Sequence, residues 1–340
     1  MGATKYFEDG AEKLINVEIN PGRLCNNKCI FCMSGEDRDD HEPWADPQRM
    51  FSEIEARFKE GARSLGFLGG EPSAYPHILD CMRLAKDLGY RRIALCTNGT
   101  RLANADFLNS CLDAGLTRVT MSLHSHIPEI EERLVGVPKI LEKKIQALKN
   151  LIEARGRGFF KDGVSLNPVL CRPNAPHMEG YVRFFKSLGI NDIRFNFIWP
   201  ESRVKNDKTV VPRFQDVVPP VLGLILKNEK EIKIRISFGG IPYCVLPPFI
   251  HENWDLLRRY FYEEGMDLPT EVSFLWPDQK GGAQRFNWHE KGRDVFRAKV
   301  PACASCSLDR FCMGVYRSYL DLHGDSEIHP IVFSGAREAA

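Results

Sequence analysis

Three cysteines on one short stretch have the spacing of a metal-cluster loop. They are Cys25, Cys29 and Cys32, spaced C-x3-C-x2-C, and Phe31 stands directly before the last of them. A structural zinc site uses four ligands, and ferredoxin-type iron–sulfur clusters use four thiolates. Three thiolates therefore predict a four-iron cluster with one iron open to a ligand that is not protein. The alternative is a set of structural or zinc-binding cysteines.

The C-x3-C-x-aromatic-C pattern of this stretch resembles the cluster loop of the radical S-adenosylmethionine (SAM) enzymes. The resemblance implies that Cys25, Cys29 and Cys32 bind three irons of a 4Fe-4S cluster, with Phe31 beside the cofactor. It implies that SAM chelates the fourth iron and is cleaved by an electron, giving methionine and a 5'-deoxyadenosyl radical that takes a hydrogen atom from substrate. A reductant such as flavodoxin or ferredoxin would supply the electron.

A second motif, Gly69-Gly70-Glu71-Pro72, directly follows a predicted strand. Two glycines let the backbone approach a ligand closely, and proline stiffens the turn. In the family that the cluster loop resembles, this element binds the amino end of SAM, and Glu71 would accept hydrogen bonds from the ammonium group. Without the cluster loop, the same four residues would be read as an ordinary turn.

Polar residues at three further predicted strand ends complete the expected cofactor site. Asn98 follows the third predicted strand, and Ser122 and His124 share one face at the end of the fourth. Asn174 stands just beyond the fifth. The resemblance implies that these side chains contact the ribose or carboxylate of SAM, while the backbone of residues 193–198 faces adenine. A structural role for His124 is the alternative.

Short β-branched runs alternate with helix-period stretches over residues 15–198, which predicts βα units and a parallel sheet. The predicted strands are residues 15–19, 64–68, 92–96, 118–123, 164–170 and 192–198. The predicted helices are residues 47–61, 76–88, 104–114, 137–155 and 177–188. Six units fall short of the eight of a complete barrel. We therefore expect an α/β fold with a partial (β/α)6 TIM barrel open on one side, as the resemblance also implies.

Four cysteines in the C-terminal part predict a second cluster. Cys303, Cys306 and Cys312 are spaced C-x2-C-x5-C, and Cys244 lies upstream. The pattern resembles the SPASM and twitch extensions of radical SAM enzymes, which hold auxiliary 4Fe-4S clusters, but Tyr316 replaces the next SPASM cysteine. We expect one auxiliary 4Fe-4S cluster ligated by all four thiolates. A structural zinc, unliganded core thiols, or a cluster with an open iron and no Cys244 ligand are the alternatives.

The βα rhythm stops after residue 200, and this change predicts the domain organisation. We expect an N-terminal segment (residues 1–14), the partial barrel (15–212) and a small SPASM/twitch-like auxiliary-cluster domain (213–340). Within the last, prolines interrupt a helical stretch that ends at residue 225, and a strand (233–238) and a helix (254–264) are predicted.

Cys96 and Cys171 lie near the ends of the third and fifth predicted strands, close to where the radical would form. A thiol there could donate a hydrogen atom to a substrate radical and so complete an epimerisation. Core packing is the alternative, because free cysteine is commonly buried. Cys81 and Cys111, within predicted helices, are expected to be buried.

The composition limits the classes of partner. The chain has 46 basic and 45 acidic residues, which gives no electrostatic footprint for nucleic acid or an anionic membrane. Residues 1–14 contain no apolar run, so neither a signal peptide nor a membrane span is predicted, and the 11 cysteines are expected to stay reduced in the cytoplasm.

The sequence favours an enzyme that oxidises, dehydrogenates or epimerises a small-molecule biosynthetic intermediate. The alternative is a maturase of a ribosomally made peptide, although no leader-binding domain is visible before the first strand. A non-catalytic iron–sulfur or zinc redox sensor is disfavoured, because a sensor has no need of a SAM pocket.

Overall fold

The computed structural model of the protein describes residues 15–33, 44–262, 270–275, 282–310 and 312–333. The predicted N-terminal segment, residues 1–14, lies outside these ranges. Among the described residues, no helix has both the length and the apolar character needed to cross a lipid bilayer.

One large sheet organises the chain. Its strands in chain order are β1 (Ile15–Asn20), β2 (Ala62–Phe67), β3 (Arg92–Thr97), β4 (Arg118–Met121), β5 (Val164–Leu166), β6 (Val169–Leu170), β7 (Asp192–Phe197), β8 (Arg235–Gly239), β9 (Phe261–Tyr262), β10 (Thr270–Phe274) and β11 (Gln284–Asn287). The spatial order is β11-β10-β1-β2-β3-β4-β5-β7-β8-β9, with β6 paired to β7. Every pairing is parallel except that of β10 with β11. Within the described ranges, β9 and β11 end this order unjoined, so the barrel is open.

Helices connect the strands and cover the outer face of the sheet. They are α1 (Pro47–Lys59), α2 (Ile78–Leu88), α3 (Ala105–Asp113), α4 (Pro128–Val135), α5 (Ile140–Gly156), α6 (Met178–Ser187), α7 (Phe214–Lys227), α8 (Pro248–Glu252), α9 (Trp254–Tyr260), α10 (Trp288–Lys291) and α11 (Arg317–His323). A separate two-stranded sheet pairs β12 (Arg297–Ala298) with β13 (Val315–Tyr316). The six predicted βα units and the α/β fold class are therefore confirmed.

The boundaries of three predicted elements differ from the structure. The strand predicted at residues 164–170 splits into β5 and β6 around Pro168, which has no N–H to donate to a ladder. The helix predicted at residues 137–155 is α5 alone, and α4 before it is a separate helix ended by Gly136 at φ +67°. The helix predicted at residues 254–264 gives way after Tyr260 to β9, and residues 263–264 lie outside the described ranges.

Residues beyond 212 also build the large sheet. Strands β8 and β9 extend it beyond β7, and β10 pairs with β1 at the opposite side. Pro219 and Pro220, which we expected to interrupt a helix, lie inside α7. The division at residue 212 stays a prediction, and these strands show that the C-terminal part is continuous with the barrel sheet.

Candidate active site

The cluster loop, residues 22–32, is docked on one side against the GGEP motif. The Gly70 N–H donates to the Gly22 carbonyl at 2.9 Å, and the Glu71 N–H donates to the Leu24 carbonyl at 2.8 Å. A Cβ on Gly70 would lie 2.1 Å from the Leu24 oxygen. Only glycine therefore allows the two backbones to meet here, and this contact holds the motif against the loop that carries the thiols.

The other side of the cluster loop is docked against the C-terminus of α4. The Lys28 N–H donates to the Val135 carbonyl at 2.8 Å, and the Ile30 N–H donates to the Leu134 carbonyl at 3.0 Å. These are carbonyls of the last turn, which lack partners within their own helix. A Cβ on Gly136 would lie 2.7 Å from the Lys28 oxygen. The loop is thus clamped by backbone hydrogen bonds on both sides.

The three thiols lie on this clamped loop. The Cys25 Sγ accepts from the Asn27 N–H at 3.4 Å and from Asn98 Nδ2 at 3.9 Å, and the Cys32 N–H donates to the Cys29 carbonyl at 3.2 Å. The pKa of Cys29 is raised to about 12, mainly by burial, with the Lys144 ammonium acting against the rise and the neighbouring thiols of Cys32 and Cys25 adding to it. A thiol in this setting becomes a thiolate only beside a cation, and a bound metal supplies one.

The fit of this loop to a cluster depends on the arrangement of the metal-binding side chains and on the rigidity of the backbone that carries them. In the parts of the chain that the structure describes, no three Cys, His, Asp or Glu side chains are already arranged to hold one metal ion. The assignment of cluster ligands therefore rests on the clamped backbone and the spacing of the thiols. A three-thiol loop of soft sulfur donors, held rigid by close backbone contacts, fits an iron–sulfur cluster.

The Glu71 carboxylate is buried and ties the GGEP motif to the end of β3. Its Oε1 accepts from the backbone and hydroxyl of Ser73 and from the Thr97 hydroxyl, and its Oε2 accepts from the Asn98 N–H at 2.7 Å. Oε2 keeps acceptor capacity, since each carboxylate oxygen has two lone pairs. The predicted hydrogen bond from an ammonium group to Glu71 stays a prediction, and the structure adds a positioning role.

Phe31 and His124 pack together next to the cluster loop. Their ring centroids are 4.8 Å apart with the planes nearly perpendicular. Burial lowers the pKa of His124 to about 4, so its imidazole is neutral near pH 7. The Val169 N–H donates to Nδ1 at 3.1 Å, which leaves the proton on Nε2. These contacts support the alternative interpretation, in which His124 has a structural role.

A buried ion pair fixes α4 against the end of β4. Lys144 Nζ donates to Glu131 Oε1 at 2.6 Å, and both side chains are 0% exposed. Glu131 Oε2 accepts from the backbone N–H groups of His124 at 2.8 Å and Ser125 at 2.7 Å, while Lys144 Nζ also donates to the Ser122 carbonyl at 2.9 Å. Although burial alone would raise the pKa of Glu131, the Lys144 ammonium holds it below its ordinary value.

Sequence reasoning missed this ion pair, although a signal was present. Leu141, Lys144, Leu148 and Leu151 have the i, i+3, i+7, i+10 spacing of one helix face, and all four are buried. A lysine in an apolar stripe must find a partner when it is buried.

Asn98 and Asn174, both predicted to contact SAM, hold parts of the protein together. Asn98 Nδ2 donates to Asn26 Oδ1 at 2.6 Å, which joins the end of β3 to the cluster loop. Asn174 Nδ2 donates to the carbonyls of His124 and Val169, and its Oδ1 accepts from the N–H and thiol of Cys171. All four hydrogen-bonding positions of the Asn174 amide are used. The contact of Asn174 with the ribose of SAM stays a prediction, and it would require Asn174 to give up one of these hydrogen bonds.

A sequence profile described as the Radical SAM superfamily matches residues 19–191, which include the cluster loop, the GGEP motif and strands β2 to β6. The chain belongs to the Radical SAM superfamily. The family binds a 4Fe-4S cluster and SAM, and the clamped three-thiol loop is the part of this chain whose donors fit them.

Curated relatives align over roughly half to three quarters of their lengths. "Probable GTP 3',8-cyclase" of Sulfurisphaera tokodaii is 29% identical over 221 residues, 65% of this chain and 66% of that protein. The protein of the same name from Metallosphaera sedula is 29% identical over 242 residues, 69% of this chain and 73% of that one. For Sulfolobus acidocaldarius the identity is 30% over 189 residues, and the chain spans 57% of the relative's length.

Solved structures share the fold. SuiB of Streptococcus suis bound to S-adenosylmethionine superposes with a TM-score of 0.61 at 18% identity, covering 96% of this chain and 79% of that chain. Native anSMEcpe with bound AdoMet gives a TM-score of 0.62 at 17% identity, covering 93% of this chain and 92% of that chain. At these identities the likeness is one of fold, and it extends through the C-terminal part.

The four C-terminal cysteines of this radical SAM protein line one cavity. Cys244, Cys303, Cys306 and Cys312 surround about 410 Å³ of empty space, counted up to its open mouth. The Gly314 N–H donates to the Cys312 Sγ at 3.2 Å.

The donors in this cavity fit a thiolate-ligated metal. The Ile331 N–H donates to the Cys306 Sγ at 3.4 Å, as occurs at thiolates that ligate metal. The pKa of Cys244 is raised to about 12, mainly by burial, with smaller contributions from the thiols of Cys303 and Cys306. Cys244, whose assignment is the least certain from spacing alone, therefore lies in the same cavity as the other three thiols, and its role as a ligand stays a prediction.

The two cysteines considered as hydrogen donors occupy different environments. Cys171 is 0% exposed, and its thiol points to Asn174 within the core. Cys96 lies on the inner face of β3, where its side chain remains partly accessible. Burial nonetheless raises the pKa of Cys96 to about 12, which keeps it as a thiol with an S–H hydrogen. Of the two, only Cys96 has an environment suited to meeting a substrate.

Proposed function

We propose that this radical SAM enzyme removes a hydrogen atom from a small-molecule biosynthetic intermediate held inside the barrel. The observation that carries the proposal is the cluster loop, which is clamped by backbone bonds between the GGEP motif and α4. When bound, the cluster and SAM supply the electron and the 5'-deoxyadenosyl radical.

The chain's own residues bind and orient these groups. Cys25, Cys29 and Cys32 would hold three irons, and Asn98 restrains the Cys25 side chain. The packed rings of Phe31 and His124 would exclude water from one side of the cofactor.

The C-terminal cavity supports an oxidative outcome. Cys244, Cys303, Cys306 and Cys312 would ligate an auxiliary 4Fe-4S cluster with no iron left open. Such a cluster can accept an electron from a substrate radical, which gives oxidation or dehydrogenation. Cys96 supports the alternative, in which its S–H returns a hydrogen atom and the product is an epimer.

The experiment that tests the proposed function is anaerobic reconstitution with iron and sulfide, followed by dithionite and SAM. We expect about eight irons per chain, as two four-iron clusters require, and 5'-deoxyadenosine detected by mass spectrometry. Cys25→Ala should abolish 5'-deoxyadenosine, whereas Cys111→Ala, a buried cysteine outside both sites, should leave it unchanged. A loaded first cluster that gives no 5'-deoxyadenosine would overturn the proposed function in favour of binding or sensing.

The names of the curated relatives suggest GTP as the first substrate to test. SAM cleavage should be slow without substrate and should accelerate when the right molecule is present. Deuterium should then pass from the labelled substrate into 5'-deoxyadenosine. A precursor peptide is the second probe, because a peptide-modifying reaction is the alternative. Deuterium transfer from a labelled peptide but not from labelled GTP would change the proposed function to peptide maturation. The reaction in deuterated solvent separates epimerisation from oxidation. Epimerisation with Cys96 as the hydrogen donor should place solvent deuterium in the product, and Cys96→Ala should abolish that incorporation.

A further inference from the structure

Residues 328–333 lie along the cavity that the four C-terminal thiols line. Three of them, Ile328, His329 and Ile331, belong to the wall of this cavity. Ile328 and Ile331 are 5% and 7% exposed, whereas Val332 is 70% exposed. The segment therefore turns two buried aliphatic side chains toward the thiols and leaves Val332 in solvent.

Backbone hydrogen bonds join this segment to the loop that carries Cys306. The Ile331 N–H donates to the Cys306 Sγ at 3.4 Å, and the Ile331 carbonyl accepts from the Ser307 N–H at 2.7 Å. The Phe333 N–H donates to the Ser307 Oγ at 3.2 Å. Three hydrogen bonds thus fix the Ile331 N–H against the sulfur of one predicted ligand.

The other end of the segment is anchored to the start of α7 through Glu327. The Glu327 Oε1 accepts from the Gln215 N–H at 2.8 Å, and its Oε2 accepts from the Tyr319 hydroxyl. Arg213 lies 3.8 Å from the same carboxylate. Gln215 is in the first turn of α7, where N–H groups have no acceptor within the helix. Residues 328–333 are therefore held at both ends, with the cavity between the two attachments.

The N–H of Ile331 can act on the electron affinity of a cluster in this cavity. A neutral thiol is a weak acceptor, whereas a thiolate accepts a charge-assisted hydrogen bond. Reduction adds negative charge to the sulfurs, and hydrogen bonds to them are one of the factors that set the reduction potential. The Gly314 N–H donates to the Cys312 Sγ from within the cysteine loop itself, but Ile331 lies 25 residues beyond Cys306 in the chain.

The aliphatic side chains of the segment act on access to the cavity. Ile328 and Ile331 share its wall with Leu308, which is 5% exposed. A hydrophobic shell around a metal site controls the entry of solvent. Water and chelators would reach a metal behind these three side chains only after the segment moves.

We propose that residues 328–333 form a closing wall of the auxiliary-cluster site, in which the Ile331 N–H raises the reduction potential of the cluster and the Ile328 and Ile331 side chains slow the loss of its iron. These are positioning residues, and they act through the thiolates and through solvent access. The inference rests on the auxiliary 4Fe-4S cluster of the proposed function and concerns its one-electron reduction, for which dithionite supplies the electron in the test.

The auxiliary cluster can be measured alone in a background variant that carries Cys25→Ala, Cys29→Ala and Cys32→Ala. After anaerobic reconstitution this background should hold about four irons per chain. Ile331→Pro removes the N–H and keeps an apolar side chain, whereas Ile331→Val keeps both. The reduced cluster is followed by electron paramagnetic resonance during a dithionite titration.

Ile331→Pro should lower the ratio of reduced to oxidised cluster at a fixed potential about tenfold, which corresponds to about 59 mV for one electron. Ile331→Val should keep the potential of the background. An unchanged or higher potential in Ile331→Pro would overturn the role of the N–H.

Iron release to a ferrous chelator tests the shielding side chains. In the same background, Ile328→Ala should release iron about tenfold faster, the lower end of the effects seen at outer-shell positions of metal sites. Val332→Ala, at the solvent-exposed position of the same segment, should release iron at the background rate. Equal rates in the two variants would overturn the shielding role.

Hydrogen exchange without any substitution in the segment covers the case in which Ile331→Pro disturbs folding. When the background variant is loaded, the Ile331 amide should exchange about tenfold more slowly than after chelation, because the thiolate is then replaced by a weaker acceptor. The Gln215 amide, which donates to Glu327, should keep its rate. Equal exchange of the Ile331 amide in the two states would overturn the inference.

These measurements need no SAM cleavage, so they separate the inference from the rest of the proposed function. A background variant that binds no iron would overturn the auxiliary cluster together with its closing wall. About four irons, with the potential, the iron release and the amide exchange all unchanged by the tests above, would overturn the closing wall alone.

Discussion

Replacing Glu131 by Gln should destabilise the protein more than any surface charge change, and it should loosen the cluster loop. The Lys144 ammonium would keep its burial and lose the Glu131 carboxylate, which lies 2.6 Å away. Breaking a fully buried pair in this way costs about 3–5 kcal/mol. Glutamine keeps one acceptor oxygen, so that oxygen either stays on the two backbone N–H groups now bound by Oε2, with its NH₂ group facing Lys144, or turns to Lys144 and leaves both N–H groups facing a donor.

The expected loss in the free energy of unfolding can be measured by urea unfolding of the metal-free protein at pH 7. Asp216→Asn is the matched control, because the Arg172–Asp216 pair is also an ion pair at 3.0 Å but is 43% and 39% exposed. That control should cost less than about 1 kcal/mol. The double variant Glu131→Gln with Lys144→Met removes the stranded charge and should recover most of the loss.

A local readout separates positioning of the cluster loop from general destabilisation. The amides of Lys28 and Ile30 donate to the last carbonyls of α4, so their hydrogen exchange should accelerate in Glu131→Gln under conditions where the protein stays folded. The amide of Glu71, which donates to Leu24 on the opposite side of the loop, should change less. A loss below 1 kcal/mol, or equal acceleration at both sides of the loop, would refute the reasoning.

Three further predictions concern the cofactor sites and pH. His124 has its pKa lowered from 6.5 to about 4 by burial, so its neutral form stabilises the fold above pH 6.5, and that contribution is lost as pH falls toward 4. The loss at pH 5 should be about 2 kcal/mol, and His124→Asn should flatten this part of the stability profile measured by urea unfolding. Gly70→Ala should lower iron loading at the first cluster, since its Cβ would lie 2.1 Å from the Leu24 oxygen; Gly156→Ala, with no atom near its Cβ, should load normally. Cys303→Ser should lower the iron count from about eight to about four per chain while 5'-deoxyadenosine formation without substrate persists, and an unchanged count would contradict the auxiliary site.

The sequence predicted those features whose signal is local. The C-x3-C-x2-C spacing and the GGEP motif each occupy a few consecutive residues, and the six βα units follow from short-range periodicity. Helix α4, Pro128–Val135, is not predicted, because its eight residues end at Gly136 and are too few to show a clear helical period. The strand predicted at residues 233–238 is β8. Strands β9 to β11 are not predicted, because a pairing such as that of β10 with β1, across more than 250 residues of chain, leaves no local pattern.

The polar inner face of the barrel shows why a local signal can still be misread. Parallel strands usually read as continuous apolar runs because both faces are buried, whereas the prediction of β1 and β7 follows from short β-branched runs. Their polar residues recur at every second position, as in Asp192, Arg194 and Asn196 of β7. A packed barrel interior could hold so many polar groups only if they paired with one another, as Asp192 does with Arg118 and Arg235. The polar inner face can therefore be inferred from the period of the strands once their parallel order is known.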